Sequence, residues 1–377
     1  MLYVHSFAII PYPLPAIHSF MSCIAIDCRF ASVTAGLGTY TRGIVPALLP
    51  QLRNHHVCLL VRSAKEPWLK HIPDTVTVCE LDVPHYSLRE QIILPVRLRQ
   101  LSADLLYSPH FNVPLFCGVP FVSTVHDLAL HEYPNGVSPL KQLAYRIIMK
   151  HAVTKAQQVI AVSAFTQSEL KKRYGTASHA VTEGADAVFR KVSKEDRSAV
   201  LSEYGLLGEY FLYVGGSNEH KNIQVLIDAH EQSGTDVPLV LVSNGARVHR
   251  LHRKPNTVLL TNVPHHDLPA LYSGAKAFAT ASLYEGFCLP ILEARSCGTP
   301  VIAANTAAIP EIAGPSALLV HPSADAIAAA FADPPVCSDP PEPKYSWEKA
   351  AADISAILHT ASYSWISFSS IAASVLR

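Results

Sequence analysis

Glu285 and Glu293 stand eight positions apart, with Gly286-Phe287-Cys288-Leu289-Pro290-Ile291-Leu292 between them. A glycine lets backbone approach a ligand closely. A proline suits the opening of a helix, where its missing N–H costs nothing. The stretch therefore reads as a strand over 276–281, a loop, and a helix starting at Pro290, with Glu293 in its first turn. One carboxylate can accept hydrogen bonds from the hydroxyls of a sugar and the other from a ribose diol. The N–H groups of Gly286, Phe287, Cys288 and Leu289 and the helix end would face phosphates. Taken singly, Glu285 also suits a surface turn, and Glu293 a helix N-terminus where the dipole favours an acid.

Two further loops carry the same kind of chemistry. Gly215-Gly216-Ser217-Asn218-Glu219-His220-Lys221-Asn222 follows a strand over 210–214 and opens a helix over 222–232. A lysine there adds to the positive end of the helix dipole, which calls for an anion beside it, and a diphosphate fits. His220 would add charge when protonated. Near the start of the chain, Gly36-Leu37-Gly38 separates a strand over 24–29 from a helix over 39–52. This loop is compatible with a phosphate or sugar contact and equally with a tight turn, because it is not a full GxGxxG fingerprint and no acidic residue ends the next strand. Pro46 and Pro50 should kink or shorten the helix. None of these loops holds a DxD pair, so no tightly bound metal is expected; magnesium would be auxiliary.

The elements that must position these loops alternate. Strands are expected at 24–29, 56–61, 76–81, 104–107, 120–125 and 158–162, with helices at 87–101 and 139–155. After a polar segment at 183–208 the pattern restarts, with strands at 210–214, 237–242, 258–260, 276–281 and 300–303. A proline-rich breaker at 334–343 precedes a last helix from Ser346. Short apolar strands alternating with amphipathic stretches predict α/β architecture, two doubly wound Rossmann-like domains facing across a cleft. The expected organisation is an N-terminal domain over 1–182, a linker over 183–208, a C-terminal domain over 209–340, and a helix and tail over 341–377. Ligands of such sheets bind at the C-terminal strand ends, so the site belongs in the cleft.

Composition narrows the classes. The 377 residues suffice for two cores; 49% are hydrophobic, 16% are charged and the net charge is zero, which argues against nucleic acid as a partner. Eight cysteines without a CxxC pair suggest reduced thiols of a cytoplasmic protein. The histidine pairs His55-His56, His265-His266 and His249-x-x-His252 lack carboxylate or cysteine partners at ligand spacing and read as loop or surface residues. Residues 1–20 are apolar but broken by prolines, unlike a signal peptide, and Met21 is the expected start. The Ser-rich, aromatic tail from Ser362 reads as docked or frayed, or as a membrane-surface contact.

Together these motifs resemble the retaining glycosyltransferases of family 4, the "group 1" family with the GT-B fold. Glu285 to Glu293 matches the family's E-x7-E motif. Asp27-x-Arg29 with Gly36 to Arg42, Val125-His126-Asp127-Leu128, Val162-Ser163-Ala164-Phe165-Thr166, Val214 to Asn222, Gly298-Thr299-Pro300-Val301 and Pro310-Glu311 are similar to its other segments, in the same order, from Ser22 to about Leu358. The resemblance implies a nucleotide-sugar donor held mainly by the C-terminal domain. Lys221, with Gly215 and His220, would bind the diphosphate, and Glu293 the ribose. Glu285 and the N–H groups of residues 286–289 would bind the transferred sugar. His126 would face that sugar, and the Gly36–Gly38 segment would close on the phosphates or acceptor. The catalytic residues implied are Glu285, His126 and Lys221, without Glu285 acting as a nucleophile. Three departures stand out: His220-Lys221 replaces a common Arg-Lys, Glu183-Gly184-Ala185-Asp186 replaces a common Asn-Gly-Val-Asp, and the tail after Leu358 is unlike the family.

The overall pattern is similar to bacterial mannosyltransferases of surface-polysaccharide assembly, which implies GDP-mannose as donor and a glycan or lipid-linked acceptor. Arg89, Arg97, Arg99, Lys141, Arg146 and Lys150 could give the N-terminal domain a basic face for peripheral contact with the inner side of a membrane. Competing readings are a sugar-nucleotide epimerase or phosphorylase, a dehydrogenase, a two-domain sugar- or nucleotide-binding protein without activity, and a degenerate transferase.

Overall fold

The computed structural model describes residues 22–33, 36–245 and 247–375, the last thirteen as backbone only. Met21 and the segment before it lie outside the described residues, as do the tail side chains beyond Ser362.

Two parallel sheets form the frame. In the first, β1 (Cys23–Asp27), β2 (His56–Val61), β3 (Thr77–Glu80), β4 (Leu105–Ser108), β5 (Phe121–Val125), β6 (Gln158–Ala161) and β7 (His179–Ala180) stand in the order β3-β2-β1-β4-β5-β6-β7. In the second, β8 (Phe211–Val214), β9 (Leu239–Val242), β10 (Thr257–Leu260), β11 (Ala277–Thr280), β12 (Val301–Ala304) and β13 (Leu318–Val320) stand in the order β10-β9-β8-β11-β12-β13. Strands such as Leu239–Val242 and Val301–Ala304 are buried on both faces, the pattern of parallel sheets covered by helices. The strand order reverses between β1 and β4 and again between β8 and β11, which opens a crevice at each switch point.

Local chemistry sets the helix ends. Ser87 caps the helix Leu88–Gln100 by accepting from the Glu90 N–H, and Ser163 caps Ala164–Tyr174 by accepting from Thr166. Gly175, in the left-handed region at φ 67°, ends the latter helix. Pro46 lies inside the helix Gly36–Leu48, which stops two residues later and passes into a 3-10 turn containing Pro50. The short strands β7 and β13 were not expected; two and three residues are too few to show a period.

Three boundaries differ from expectation in ways that bear on the site. Gly36 and Gly38 form the first turn of the helix Gly36–Leu48 rather than a loop before it. The helix after β11 spans Leu289–Ser296, with Pro290 one position inside its start, so Glu293 is beyond the first turn. Lys221 closes a 3-10 turn over Glu219–Lys221, and Asn222, at φ 53°, separates it from the helix Ile223–Gln232.

The polar segment 183–208 is packed rather than free. Its helix Lys194–Glu203 lies against Leu268–Gly274 of the second sheet's covering layer, with Leu201 beside Gly274. The C-terminal helix Trp347–Val375 leaves the second sheet and returns to the first. There it packs along Gly36–Leu48 and under β4, β5 and β6. Trp347 meets Tyr40 edge-on at 5.6 Å, and a Cβ on Gly43 would overlap the Trp347 ring. Among the described residues no helix is long and apolar enough to cross a membrane.

Candidate active site between the two sheets

The loops after β5, β8 and β11 converge where the C-terminal ends of the two sheets face each other. Lys221, from the β8 loop, donates from Nζ to both carboxylate oxygens of Glu285, from the β11 loop, at 2.7 and 2.8 Å. Burial alone would lower the lysine pKa. Glu285, and more weakly Asp127 across the crevice, outweigh it and hold the ammonium charged. The anion expected beside Lys221 is therefore, in this structure, a protein carboxylate. His220 lies 6.0 Å from the Tyr133 ring, and its pKa is pushed down by burial and by Lys221. A protonated His220 assisting an anion at neutral pH is thus disfavoured; the extra positive charge here comes from Lys221.

Glu293 projects from the second turn of its helix and accepts a 2.8 Å hydrogen bond from the Tyr272 hydroxyl. Burial raises its pKa to about 7, against the opposing pull of that hydroxyl and of His265. His265 in turn lies 3.6 Å from Asp186, whose carboxylate raises the histidine pKa. Glu293 is therefore not a free carboxylate: it is bonded to Tyr272, while His265, which draws its pKa down, is itself paired with Asp186.

His126, immediately after β5, has both ring nitrogens engaged. Nδ1 is 3.0 Å from Glu183 Oε1 and Nε2 is 2.8 Å from the Pro109 carbonyl oxygen. Both partners accept, so the arrangement suits a doubly protonated ring. Burial opposes that charge, but the Glu183 bond and charge overcome it and raise the pKa. Tyr40 packs edge-on against the ring at 4.5 Å. The imidazole thus presents a ring edge and a charge, not a free nitrogen. Glu183, singled out in the sequence only as a departure from a motif, is the residue that sets this state. Its role was hidden because it lies 57 positions from its partner.

Gly286 is required by closeness: a Cβ there would fall within the His126 carbonyl oxygen. Its own carbonyl accepts a 2.6 Å hydrogen bond from Ser163 Oγ. Across the same seam, Glu311 accepts from the N–H groups of Ala164 at 3.1 Å and Phe165 at 3.4 Å, capping the helix that Ser163 begins. Asn135 donates to Glu219 at 3.0 Å. The two sheets are therefore closed on each other around the Glu285 loop. Cys288 holds a left-handed conformation, φ 83°, directly before the helix Leu289–Ser296, a strained position for a residue with a Cβ. Gly38 is fixed by the Val33 carbonyl, and Gly215 by the Tyr213 hydroxyl, which would stand 2.8 Å from an added Cβ. Gly36 meets nothing within 4 Å, so no packing demand accounts for it.

Phe287 is buried in the core beneath the loop, so any contact it makes with a ligand is through backbone, while Leu289 is half-buried at the edge of that core. Upstream of the crevice, the buried guanidinium of Arg29 bridges Asp27 at 2.7 Å and Glu90 at 2.6 Å. Asn112 adds hydrogen bonds to Glu90 at 2.9 and 3.0 Å. This network ties the ends of β1 and β4 to the helix Leu88–Gln100.

A family model described as Glycosyltransferase Family 4 matches residues 34–186, and one described as Glycosyl transferases group 1 matches residues 207–353. The chain is 32% identical over 254 residues to O-antigen chain mannosyltransferase B of Escherichia coli, covering 62% of this chain and 65% of that one. It is 28% identical over 239 residues to O-antigen chain mannosyltransferase RfbU of Salmonella typhimurium, covering 61% and 64%. The alignments thus span slightly less than two thirds of those relatives. Sucrose-phosphate synthase from Thermosynechococcus elongatus superposes with a TM-score of 0.71 at 19% identity, over 90% of this chain and 98% of the other. Anabaena HepE in complex with UDP and glucose superposes at 0.65 and 20% identity, over 93% and 99%. These likenesses show the fold.

Proposed function

Since the chain belongs to the family 4, group 1 glycosyltransferases and has their GT-B fold, we propose that it transfers a hexose from a nucleotide-sugar to a glycan or lipid-linked acceptor, with retention. The observation that carries the reading is the Lys221–Glu285 pair, held where loops of both sheets meet. As the bond from C1 to the diphosphate oxygen breaks, charge grows on the leaving group. Lys221, already charged, stabilises it and thereby shifts from Glu285 toward phosphate. The N–H groups of residues 286–289 add to that field. Glu285, released, accepts from hydroxyls of the transferred sugar. The acceptor oxygen bonds to C1 from the same face, and its proton passes to the departing phosphate. Glu293 takes the ribose, and the helix turn at Gly36–Gly38 lies toward the phosphates or acceptor.

Mannose from GDP-mannose is the donor we favour, because the two O-antigen relatives carry mannosyltransferase names. The N-terminal unit, 1–182, would take the acceptor and the unit over 209–340 the donor, with 183–208 between them and 341–377 closing the chain. Two stripes support peripheral contact with the inner face of a membrane. Leu88, Ile92 and Val96 recur on one exposed helix face and Leu140, Leu143 and Ile147 on another, and Phe116 is 85% exposed. Arg89, Arg97, Arg99, Lys141, Arg146 and Lys150 accompany them in the same two helices. Apolar side chains beside cations match an anionic lipid surface. The free cysteines fit a cytoplasmic setting.

Thermal shift and turnover across UDP-, GDP- and ADP-sugars, comparing the wild type with Glu285→Ala, test the reading. One donor should stabilise the protein and be slowly hydrolysed, with hydrolysis lost in the variant. Binding without transfer or hydrolysis would identify a degenerate transferase, and no binding to any donor would defeat the proposal.

A further inference from the structure

At the opposite end of the first sheet from the crevice, the first residues of β1 and β2 pair in register, Cys23 with His56. Cys58, two positions further along β2, projects to the same face as His56, since strand side chains alternate. The result is a compact set of soft ligands. Cys23 Sγ, Cys58 Sγ and a ring nitrogen of His56 all lie within 4.8 Å of one another. The two sulfurs are 3.9 Å apart, and Cys58 Sγ is 3.9 Å from His56 Nε2.

A tetrahedral zinc ion, with bonds of about 2.3 Å to sulfur and about 2.0 Å to nitrogen, spaces two sulfurs by about 3.8 Å and a sulfur and nitrogen by about 3.5 Å. The Cys23–Cys58 and Cys58–His56 separations need to contract by a few tenths of an ångström, and Cys23–His56, within 4.8 Å, by at most about 1.3 Å. Two thiolates and an imidazole are the donors that select zinc or a similarly soft cation over magnesium or calcium. We propose that Cys23, His56 and Cys58 form a zinc site at the start of the first sheet.

Asp104 strengthens the case. Its carboxylate accepts from the Cys23 N–H at 2.7 Å, placing further negative charge beside the set. Binding releases the two thiol protons and exchanges the 2.9 Å contact between His56 Nε2 and the Thr77 hydroxyl for the metal bond. Three protein ligands leave a fourth position for water. The site clamps β1 to β2 beside His55, which itself reaches His359 of the C-terminal helix at 3.0 Å. With one position open the site is not a closed four-ligand centre; its expected effect is to stabilise the β1–β2 pairing, independent of the sugar chemistry.

The test is titration of the reduced, metal-free full chain with cobalt(II) under anaerobic conditions, followed by zinc. A thiolate-to-cobalt charge-transfer band saturating at one equivalent and erased by zinc is expected. Cys58→Ser should weaken cobalt binding at least about 100-fold, beyond what loss of an outer-shell partner costs. Cys337→Ser, which removes an exposed thiol elsewhere, should leave it unchanged. His56→Gln keeps both thiols, so it serves if Cys58→Ser fails to fold; zinc should raise the melting temperature of the wild type and not of His56→Gln. Absence of the band in the wild type overturns the proposal, as does a band of full intensity in either ligand variant.

Discussion

Glu293 reaches the folded state with its pKa raised to about 7 by burial. The native protein therefore binds more protons than the unfolded chain between the ordinary glutamate value and about 7. Its contribution to stability falls as pH rises through that window and is flat above it. Glu293→Gln should match the wild type at pH 4.5 and exceed it at pH 8, by on the order of 2 kcal/mol, measured by denaturant melts at the two pH values. If the carboxylate holds the ribose, the wild-type donor KM should also rise as pH falls below 7, and this slope should vanish in Glu293→Gln. For His126 the slope has the same sign but a different cause. Its pKa is raised, so the stability from its Glu183 bond is full at low pH and lost as pH rises through the folded value. Glu183→Gln keeps the hydrogen bond and removes the charge. It should shift the alkaline limb of the kcat profile to lower pH, while His220→Arg, which supplies a permanent cation near the diphosphate, should lower donor KM. An unmoved profile or an unchanged KM would count against the respective assignment.

At the scale of elements, the alternation of strand and helix and the loops after β5, β8 and β11 were legible because each strand is short and apolar and the stretches between them are amphipathic or polar. His56–Val61 and Pro139–Lys155 fall where the pattern put them. Two kinds of information were not legible. Helix starts depend on packing, so Gly36 is helical because Gly38 can lie against Val33, and Glu293 fell a turn later than expected. Partnerships across the chain have no local signature: Lys221 with Glu285, His126 with Glu183, and Cys23 with Cys58 join residues 64, 57 and 35 positions apart. The sequence reading of His55-His56 as a pair without cysteine partners missed Cys58, two positions along the same strand face, because the set is complete only once Cys23 of β1 is laid beside it. The seam between the loops gives its own prediction. Gly286→Ala inserts a methyl into the His126 carbonyl and should hold the sheets apart. Turnover should drop at least about 100-fold, the loss that follows misplacement of reacting groups by about an ångström. Nucleotide binding to the second sheet should survive, and small-angle scattering should show a larger radius of gyration.

Across the whole molecule, the C-terminal helix is the piece that makes two sheets one object. Trp347 fills the space left by Gly43 and Tyr40, and Ala351, Ile354 and Leu358 are buried in the same core. Trp347→Ala should cost about 3–5 kcal/mol and lower the melting temperature as a single transition if the sheets unfold together; two separated transitions would show that the helix does not couple them. The path of that helix also has a temporal meaning. A protein emerging from the ribosome generally folds its leading domain first. Here the leading sheet's apolar surface at Tyr40, Gly43 and Ile44 is covered by a helix made only after the whole second sheet, so the first half synthesised is finished after the second. The nascent chain must carry that core face exposed until Trp347 and the residues after it are made, and a chain cut short between Val320 and Trp347 would hold both sheets but leave the face open, a substrate for chaperones and proteases.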